Sequence, residues 1–364
     1  MTHSVLIIAE AGVNHNGSLD RALEMVDVAA AAGADAIKFQ TFSADKLARK
    51  DAQLAEYQKT SAGDTRSQWD LLKGLELNHE DFLAIRQRCV DRDIVFLSTG
   101  FDIDELHFLV EELSIPMVKI GSGDLTFAPM LFEAGLTGLP VILSTGMADL
   151  AEIERALEFI AVGLGVHSGV LPVDAAPTAE VRTQASADAT VCALLAERVT
   201  ILHCTTQYPA PLGILNLRAM KTIADTFKIA VGYSDHSLGA IASTVAVSLG
   251  ASIIEKHFTL DKALEGPDHA ASLDVTELNE FVLRLREVEL ALGSDIKQCQ
   301  PEEVSNRAAV RRSLVATRPI AAGELIQAND LESRRPAAGR TAFDFWDVVH
   351  TVAERDIAAG EYLE

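Results

Sequence analysis

Cysteine is scarce in this chain and scattered. Its 364 residues include four cysteines, Cys89, Cys192, Cys204 and Cys299, with no CxxC pair. That excludes a zinc ribbon or a disulfide frame and points to reduced thiols in a cytoplasmic protein. No apolar run reaches the ~18 residues that a membrane span needs. Met1-Thr2-His3-Ser4 has neither a basic segment nor a cleavage site and is expected to lead straight into a strand, so no signal peptide is expected. Positive charge is also in short supply. With 31 Lys and Arg against 53 Asp and Glu, the net charge is −22, which excludes non-specific nucleic-acid binding. An anionic substrate can be held only where cations are concentrated locally.

Apolar residues make up 48% of the chain, enough for a large core. Eight β-rich runs recur: Val5–Ala9, Ala36–Phe39, Ile94–Leu97, Met117–Ile120, Val141–Leu143, Val199–Leu202, Ile229–Val231 and Ser252–Ile254. Each ends in a polar tail, and helical patterns lie between most of them. Ser18 caps the first helix, over Leu19–Ala32, and Gly33 stops it. Alternation of strand and helix eight times over predicts an α/β fold, a (β/α)₈ TIM barrel, with the active site at the C-terminal strand ends. The barrel is expected over 1–293, followed by a polar linker over 294–307 and a small Arg-rich domain over 308–364. Two stretches break the rhythm. Ser43–Leu77 is expected to form a long mouth loop with a helical part at Gln68–Leu75. Gly163–Thr190 lacks a clear period and is read as an insertion. In the small domain, Arg318-Pro319-Ile320-Ala321-Ala322-Gly323-Glu324 is echoed by Arg355-Asp356-Ile357-Ala358-Ala359-Gly360-Glu361, which suggests two similar turns.

The strand tails carry the chemistry. His236 follows the seventh run and His257 the eighth, and adjacent barrel strands lie roughly 5 Å apart. Two imidazoles beside carboxylates suit a divalent metal such as Mn²⁺. A lone histidine is more often a core residue; two at adjacent strand ends reverse that balance. Lys38, Lys119, Ser122, Ser144 and Ser234 are donors spread around one rim, and with Gly121, Gly123 and Gly146 they suit a phosphate. Glu10 is an acid directly after an apolar strand. Asp268, on the turn Gly266-Pro267-Asp268-His269, could hydrogen-bond sugar hydroxyls.

With these residues in place, the chain resembles the sialic acid synthase family over essentially its whole length. The motifs are Ile7-Ile8-Ala9-Glu10-Ala11-Gly12-Val13-Asn14-His15-Asn16-Gly17, Lys38-Phe39-Gln40, Lys119-Ile120-Gly121-Ser122-Gly123, Ser144-Thr145-Gly146-Met147, His203-Cys204-Thr205-Thr206-Gln207-Tyr208-Pro209, Ser234-Asp235-His236 and Glu255-Lys256-His257-Phe258-Thr259. The C-terminal segment resembles the family's antifreeze-like (SAF, β-clip) domain. The resemblance implies a transferase that condenses phosphoenolpyruvate with an open-chain N-acetylhexosamine and water and releases phosphate. N-acetylmannosamine, giving N-acetylneuraminate, is the first reading. The alternative is 2,4-diacetamido-2,4,6-trideoxymannose, giving N,N'-diacetyllegionaminate. A non-catalytic sugar-binding or ice-binding role is disfavoured by the paired histidines, the phosphate rim and the Arg-rich tail. By the same resemblance, His236 and His257 hold the metal, with Mn²⁺ preferred and Mg²⁺ or Co²⁺ as other candidates. Lys38, Thr99, Lys119, Ser122, Ser144 and Ser234 hold phosphoenolpyruvate. Glu10, Gln40, Tyr208, Glu255 and Asp268 face the sugar or the reacting carbons. Arg335 would reach into the barrel of a partner subunit, which implies a domain-swapped homodimer. The chain departs from the family pattern at Ala337, at Gly339-Arg340-Thr341-Ala342 and at His350, a position the family often gives to Gly.

Overall fold

The computed structural model describes residues 5–53 and 67–364; the first four residues and part of the expected mouth loop lie outside that set. The chain divides into two units, Met1–Gly293 and Ser294–Glu364. In the first, eight strands close a barrel in sequence order, all parallel. They are β1 (Leu6–Gly12), β2 (Ala36–Thr41), β3 (Val95–Gly100), β4 (Val118–Ile120), β5 (Val141–Ser144), β6 (Val199–Cys204), β7 (Ala230–Asp235) and β8 (Ile253–His257). Parallel strands covered by helices are buried on both faces, which is why these runs read as continuous apolar stretches.

Side chains alternate along a strand, and the alternation builds the site. One inward layer is an apolar plug of Ile8, Ala36, Leu97, Ile142, Leu202 and Ile253, with Met117 packed against it. Two residues further along the same strands stand Glu10, Lys38, Thr99, Ser144, Cys204, Glu255 and Lys119. The site is therefore the next layer up, set on a dry floor. The outward residues, among them Ile7, Ile37, Phe39, Leu143, Ile201, Tyr233 and Ile254, pack into the main core with the helices.

The structure corrects the reading of the Gly163 region. A helix runs unbroken over Leu150–His167, and further helices occupy Ala179–Ala187 and Ala189–Arg198. Gly163 marks a close helix crossing rather than a break. A Cβ on Gly163 would sit 2.3 Å from Phe132 O, and one on Gly135, in the helix Ala128–Leu136, would sit 2.4 Å from Ile160 O. Both obstacles are backbone and cannot swing aside. Gly163→Ala is therefore expected to lower stability by about 3 kcal/mol, read as an earlier urea midpoint at unchanged slope. Elsewhere the expected helices form with shifted ends. Ser18 Oγ accepts from Arg21 N as the cap. The helix between β7 and β8 runs over Ile241–Ser248. The described part of the mouth loop contains helices Ala44–Leu47 and Gln68–Lys73.

In the second unit, β9 (Ser313–Ala316) pairs antiparallel with β10 (Leu331–Arg334), over a small core of Leu314, Ile320, Ile326, Val348 and Leu363. A short helix, Val304–Val310, occupies part of the stretch expected as linker. The internal echo is realised in three dimensions. Arg318 pairs with Glu324 at 2.7 Å and Arg355 with Glu361 at 2.7 Å. Each glutamate also accepts from the backbone N–H three residues before it, Ala321 and Ala358. Ile320 and Ile357 bridge the two copies. His350 has φ +70°, the left-handed region that favours glycine, which accounts for the residue the family often places there. His350→Gly relieves about 1–2 kcal/mol of Cβ strain against a somewhat smaller entropy cost. A net gain of about 0.5 kcal/mol is expected in chemical denaturation.

Candidate active site

The barrel mouth opens into a cavity of about 530 Å³. Its lining includes Glu10, Lys38, Gln40, Thr99, Lys119, Ser122, Ser144, Tyr208, Ser234, His236, Glu255, His257 and Asp268. The structure thus brings together every site residue expected from the sequence of the first unit. Arg335 lies in the second unit, exposed, with its carbonyl accepting from Tyr362 Oη at 3.1 Å. His203 lies off the cavity, bound through Nε2 to Leu215 O at 2.7 Å.

At the floor, two ammoniums interleave with two carboxylates. Lys38 Nζ lies 2.6 Å from Glu10 Oε2 and 3.7 Å from Glu255 Oε2, and Lys119 Nζ lies 3.5 Å from Glu255 Oε1. All four are nearly fully buried. Lys38 Nζ also donates to Thr99 Oγ1 at 3.3 Å, and Ser234 Oγ donates to Glu255 Oε1 at 3.0 Å. The two acids diverge. Burial raises Glu10 to about 7, because Lys38 lowers it only in part and Glu255 adds repulsion. Burial also works against Glu255, but Lys119 and Lys38 together outweigh it and bring the group down to about 2. Carboxyls whose surroundings drive them apart make an acid–base pair, with Glu255 a fixed anion and Glu10 poised near neutrality. Burial lowers Lys119 despite Glu255, whereas for Lys38 the neighbouring Glu10 and Glu255 outweigh burial and raise it.

Around this floor stand donors and acceptors without partners among the described residues: Ser144 Oγ, Thr206 Oγ1, Asp124 Oδ2 and His257 Nδ1, all buried. Unpaired buried polar atoms are costly, and a polar ligand would satisfy them. Ser122 Oγ accepts from Gly146 N at 3.0 Å. A Cβ at Gly146 would fall 2.2 Å from Thr206 Oγ1 and 2.9 Å from Ser122 Oγ, so only glycine permits this close rim. Thr206 and Asp124 line the cavity as well but were not singled out from the sequence. Their signal was present, since each lies within four residues of the end of an inward-facing strand. Burial raises Asp124 to about 6, and it raises Asp268 to about 6 as well.

The rings of His236 and His257 lie side by side with centroids 5.7 Å apart and planes inclined at 55°, and the Tyr208 ring packs at a tilt 4.2 Å from His236. His236 Nδ1 lies 2.8 Å from Thr205 O. A carbonyl only accepts, so Nδ1 carries the proton and Nε2 presents a lone pair toward Tyr208 Oη at 3.2 Å. Burial lowers the pKa of both histidines, and for His257 the neighbouring His236 and Lys38 add to the effect. Both imidazoles are therefore neutral at neutral pH, the form that ligates metals. His236 also has the backbone-anchored second nitrogen typical of a ligand. No group of three or more His, Cys, Asp or Glu side chains placed to hold a metal occurs among the described residues. The two neighbouring imidazoles are donors of the kind that ligate divalent ions.

The model of the NeuB family matches residues 25–297, and that of the SAF domain matches residues 311–364. The chain belongs to the NeuB family. Among its relatives, the N,N'-diacetyllegionaminic acid synthase of Legionella pneumophila is 40% identical over 98% of this chain and 92% of its own. The enzyme of the same name from Campylobacter jejuni is 39% identical over 98% of both. Among solved structures, the N-acetylneuraminic acid synthetase of Leptospira borgpetersenii superposes with a TM-score of 0.65 at 31% identity, covering 83% of this chain and 90% of that one. NeuB-family membership makes this chain an enzyme of the nonulosonic-acid synthase class. Among the described residues, no helix is long and apolar enough to cross a membrane.

Proposed function

We propose that this NeuB-family enzyme condenses phosphoenolpyruvate with 2,4-diacetamido-2,4,6-trideoxymannose to give N,N'-diacetyllegionaminate. The first sequence reading, N-acetylneuraminate, gives way to its alternative, because relatives at 39–40% identity over nearly the whole chain carry the legionaminate name. The observation that carries the chemistry is the buried Lys38–Glu10–Glu255–Lys119 floor with unpaired hydroxyls around it.

Cavity chemistry supports the choice of sugar. Val13, Leu71 and Leu75 pack with Leu47, Leu72 and Phe101 into an apolar wall on the loops above β1–β3, and all six line the cavity. A 6-deoxy methyl and an additional acetamido methyl suit such a wall better than the hydroxyls of N-acetylmannosamine. Apolar contacts of this kind discriminate by about ten- to two-hundredfold.

Lys38 and Lys119 bind the phosphate and carboxylate of phosphoenolpyruvate, with Thr99, Ser122, Ser144 and Ser234 orienting it. A divalent ion such as Mn²⁺, held by His236 and His257, supplies Lewis-acid polarisation of the open-chain sugar aldehyde when bound. Glu10 takes a proton from the water that adds to carbon 2, and Glu255 keeps both ammoniums in place. Gln40, Tyr208 and Asp268 position the sugar, and Arg335 contributes to it from the partner of a domain-swapped homodimer. The test is phosphate release from phosphoenolpyruvate with each sugar, with Mn²⁺ and with chelator. The trideoxy sugar should give at least tenfold higher kcat/KM than N-acetylmannosamine, and chelator should abolish turnover. Preference for N-acetylmannosamine would overturn the choice of sugar, and turnover indifferent to chelator would overturn the metal.

A further inference from the structure

Directly behind the two histidines lies a second buried charge pair that the chemistry above does not use. Asp235 and Lys256 are register partners on β7 and β8, each one residue before a histidine. Because side chains alternate along a strand, Ser234, His236, Glu255 and His257 face the cavity, while Asp235 and Lys256 point away from it, toward the helix layer. Lys256 Nζ lies 3.1 Å from Asp235 Oδ2 and also donates to Ser237 O. Asp235 Oδ1 accepts from Ser237 N at 2.8 Å and Ser237 Oγ at 2.6 Å, and Oδ2 accepts from Ser243 Oγ at 2.6 Å. Ser243 belongs to the helix Ile241–Ser248. Asp235 and Lys256 are 1% and 2% exposed, and Ser237 and Ser243 are 0%.

This bracket ties the ends of two strands, the turn after His236 and the following helix to one carboxylate. A buried ion pair contributes little net stability relative to an apolar pair of similar volume, since desolvation offsets the attraction. Its geometric consequence is larger. The backbone that carries both imidazoles is fixed from behind, while Thr205 O and the Ala210 N–H bond to His236 O, at 2.9 Å, hold it from the side.

We propose that Asp235 and Lys256 are positioning residues that set the spacing of His236 and His257, and so the affinity and working geometry of the ion they share. The inference rests on the reading of those histidines as ligands. Its test is the double variant Asp235→Leu/Lys256→Met in the full-length protein, which removes both charges and leaves neither orphaned. Thermal unfolding, Mn²⁺ binding by electron paramagnetic resonance, and kcat and KM are measured together. Mn²⁺ affinity and kcat should each fall about ten- to a hundredfold, the effect of losing an outer-shell support, with KM for phosphoenolpyruvate unchanged; the unfolding temperature falls as well, because the buried Ser237 and Ser243 lose their partners, so binding and turnover are measured well below it. Wild-type Mn²⁺ affinity and kcat in a folded double variant would overturn the proposal. Should the double variant not fold, Ser243→Ala, which loosens one carboxylate oxygen, decides: a several-fold loss of Mn²⁺ affinity supports the bracket, and none overturns it. His257→Ala separates the two layers. If that variant binds Mn²⁺ like wild type, the ligand reading and the inference on it fall together. If it loses Mn²⁺ while the double variant does not, only the bracket fails.

Discussion

Glu10→Gln should lower turnover by about a hundred- to ten-thousandfold, the contribution of one positioned proton acceptor, while phosphoenolpyruvate binding changes only a few-fold. Glutamine keeps the shape and the hydrogen-bonding reach toward Lys38 Nζ, 2.6 Å away in the wild type, but it cannot take a proton. The pH profile gives the sharper signature. Burial lifts Glu10 to about 7, so its basic form accumulates only above neutrality. Wild-type kcat/KM should rise with pH through a midpoint near 7, and the residual activity of Glu10→Gln should lack that limb. Stability runs the other way. A carboxyl raised above its unfolded value of 4.5 stabilises the fold fully below that value and loses the contribution as pH rises through 7. The glutamine variant should therefore unfold at no lower temperature than wild type at pH 8. Turnover near wild type would remove Glu10 from the proton-transfer role.

His257→Ala is the second large effect. The described cavity offers two imidazoles and no third clustered His, Cys, Asp or Glu ligand, so the loss of one leaves a single protein donor. Lewis-acid polarisation is worth several kcal/mol, and turnover should fall by roughly a thousandfold, with Mn²⁺ affinity falling in parallel. Phosphoenolpyruvate binding should persist, because Lys38 and Lys119 are untouched and the repulsion that Lys38 exerts on His257 is an electrostatic cost to the imidazolium only. His236→Ala should behave alike, with an additional disturbance of Tyr208, whose ring packs 4.2 Å from it.

The barrel was legible because parallel strands buried on both faces write continuous apolar runs, and the site was legible because each run ends in its chemistry. The two-residue step from Ile8 to Glu10, or from Ile253 to Glu255, is the pleat itself. What escaped has physical reasons too. Gly163 opens a stretch without clear period until a second helix is seen to need its missing Cβ. Asp124, in the short turn Ser122–Asp124, and Thr206 lie just past their strands; nearness to a strand end marks them, but no period there tells which way a side chain points. The opposed acidities of Glu10 and Glu255 depend on two lysines brought from β2 and β4, and no local pattern encodes that. The apolar wall was beyond motif reading, because Val13, Leu47, Leu71, Leu72, Leu75 and Phe101 come to it from separate stretches of the chain.

Anomalous diffraction from crystals grown with Mn²⁺ bears most directly on the convergence of the strand tips. A single strong peak should lie between His236 and His257, within bonding distance of a nitrogen from each ring, above the Lys38–Glu255–Lys119 floor. A peak elsewhere, or none at saturating Mn²⁺, would contradict the shared-ion site on which the proposed condensation depends.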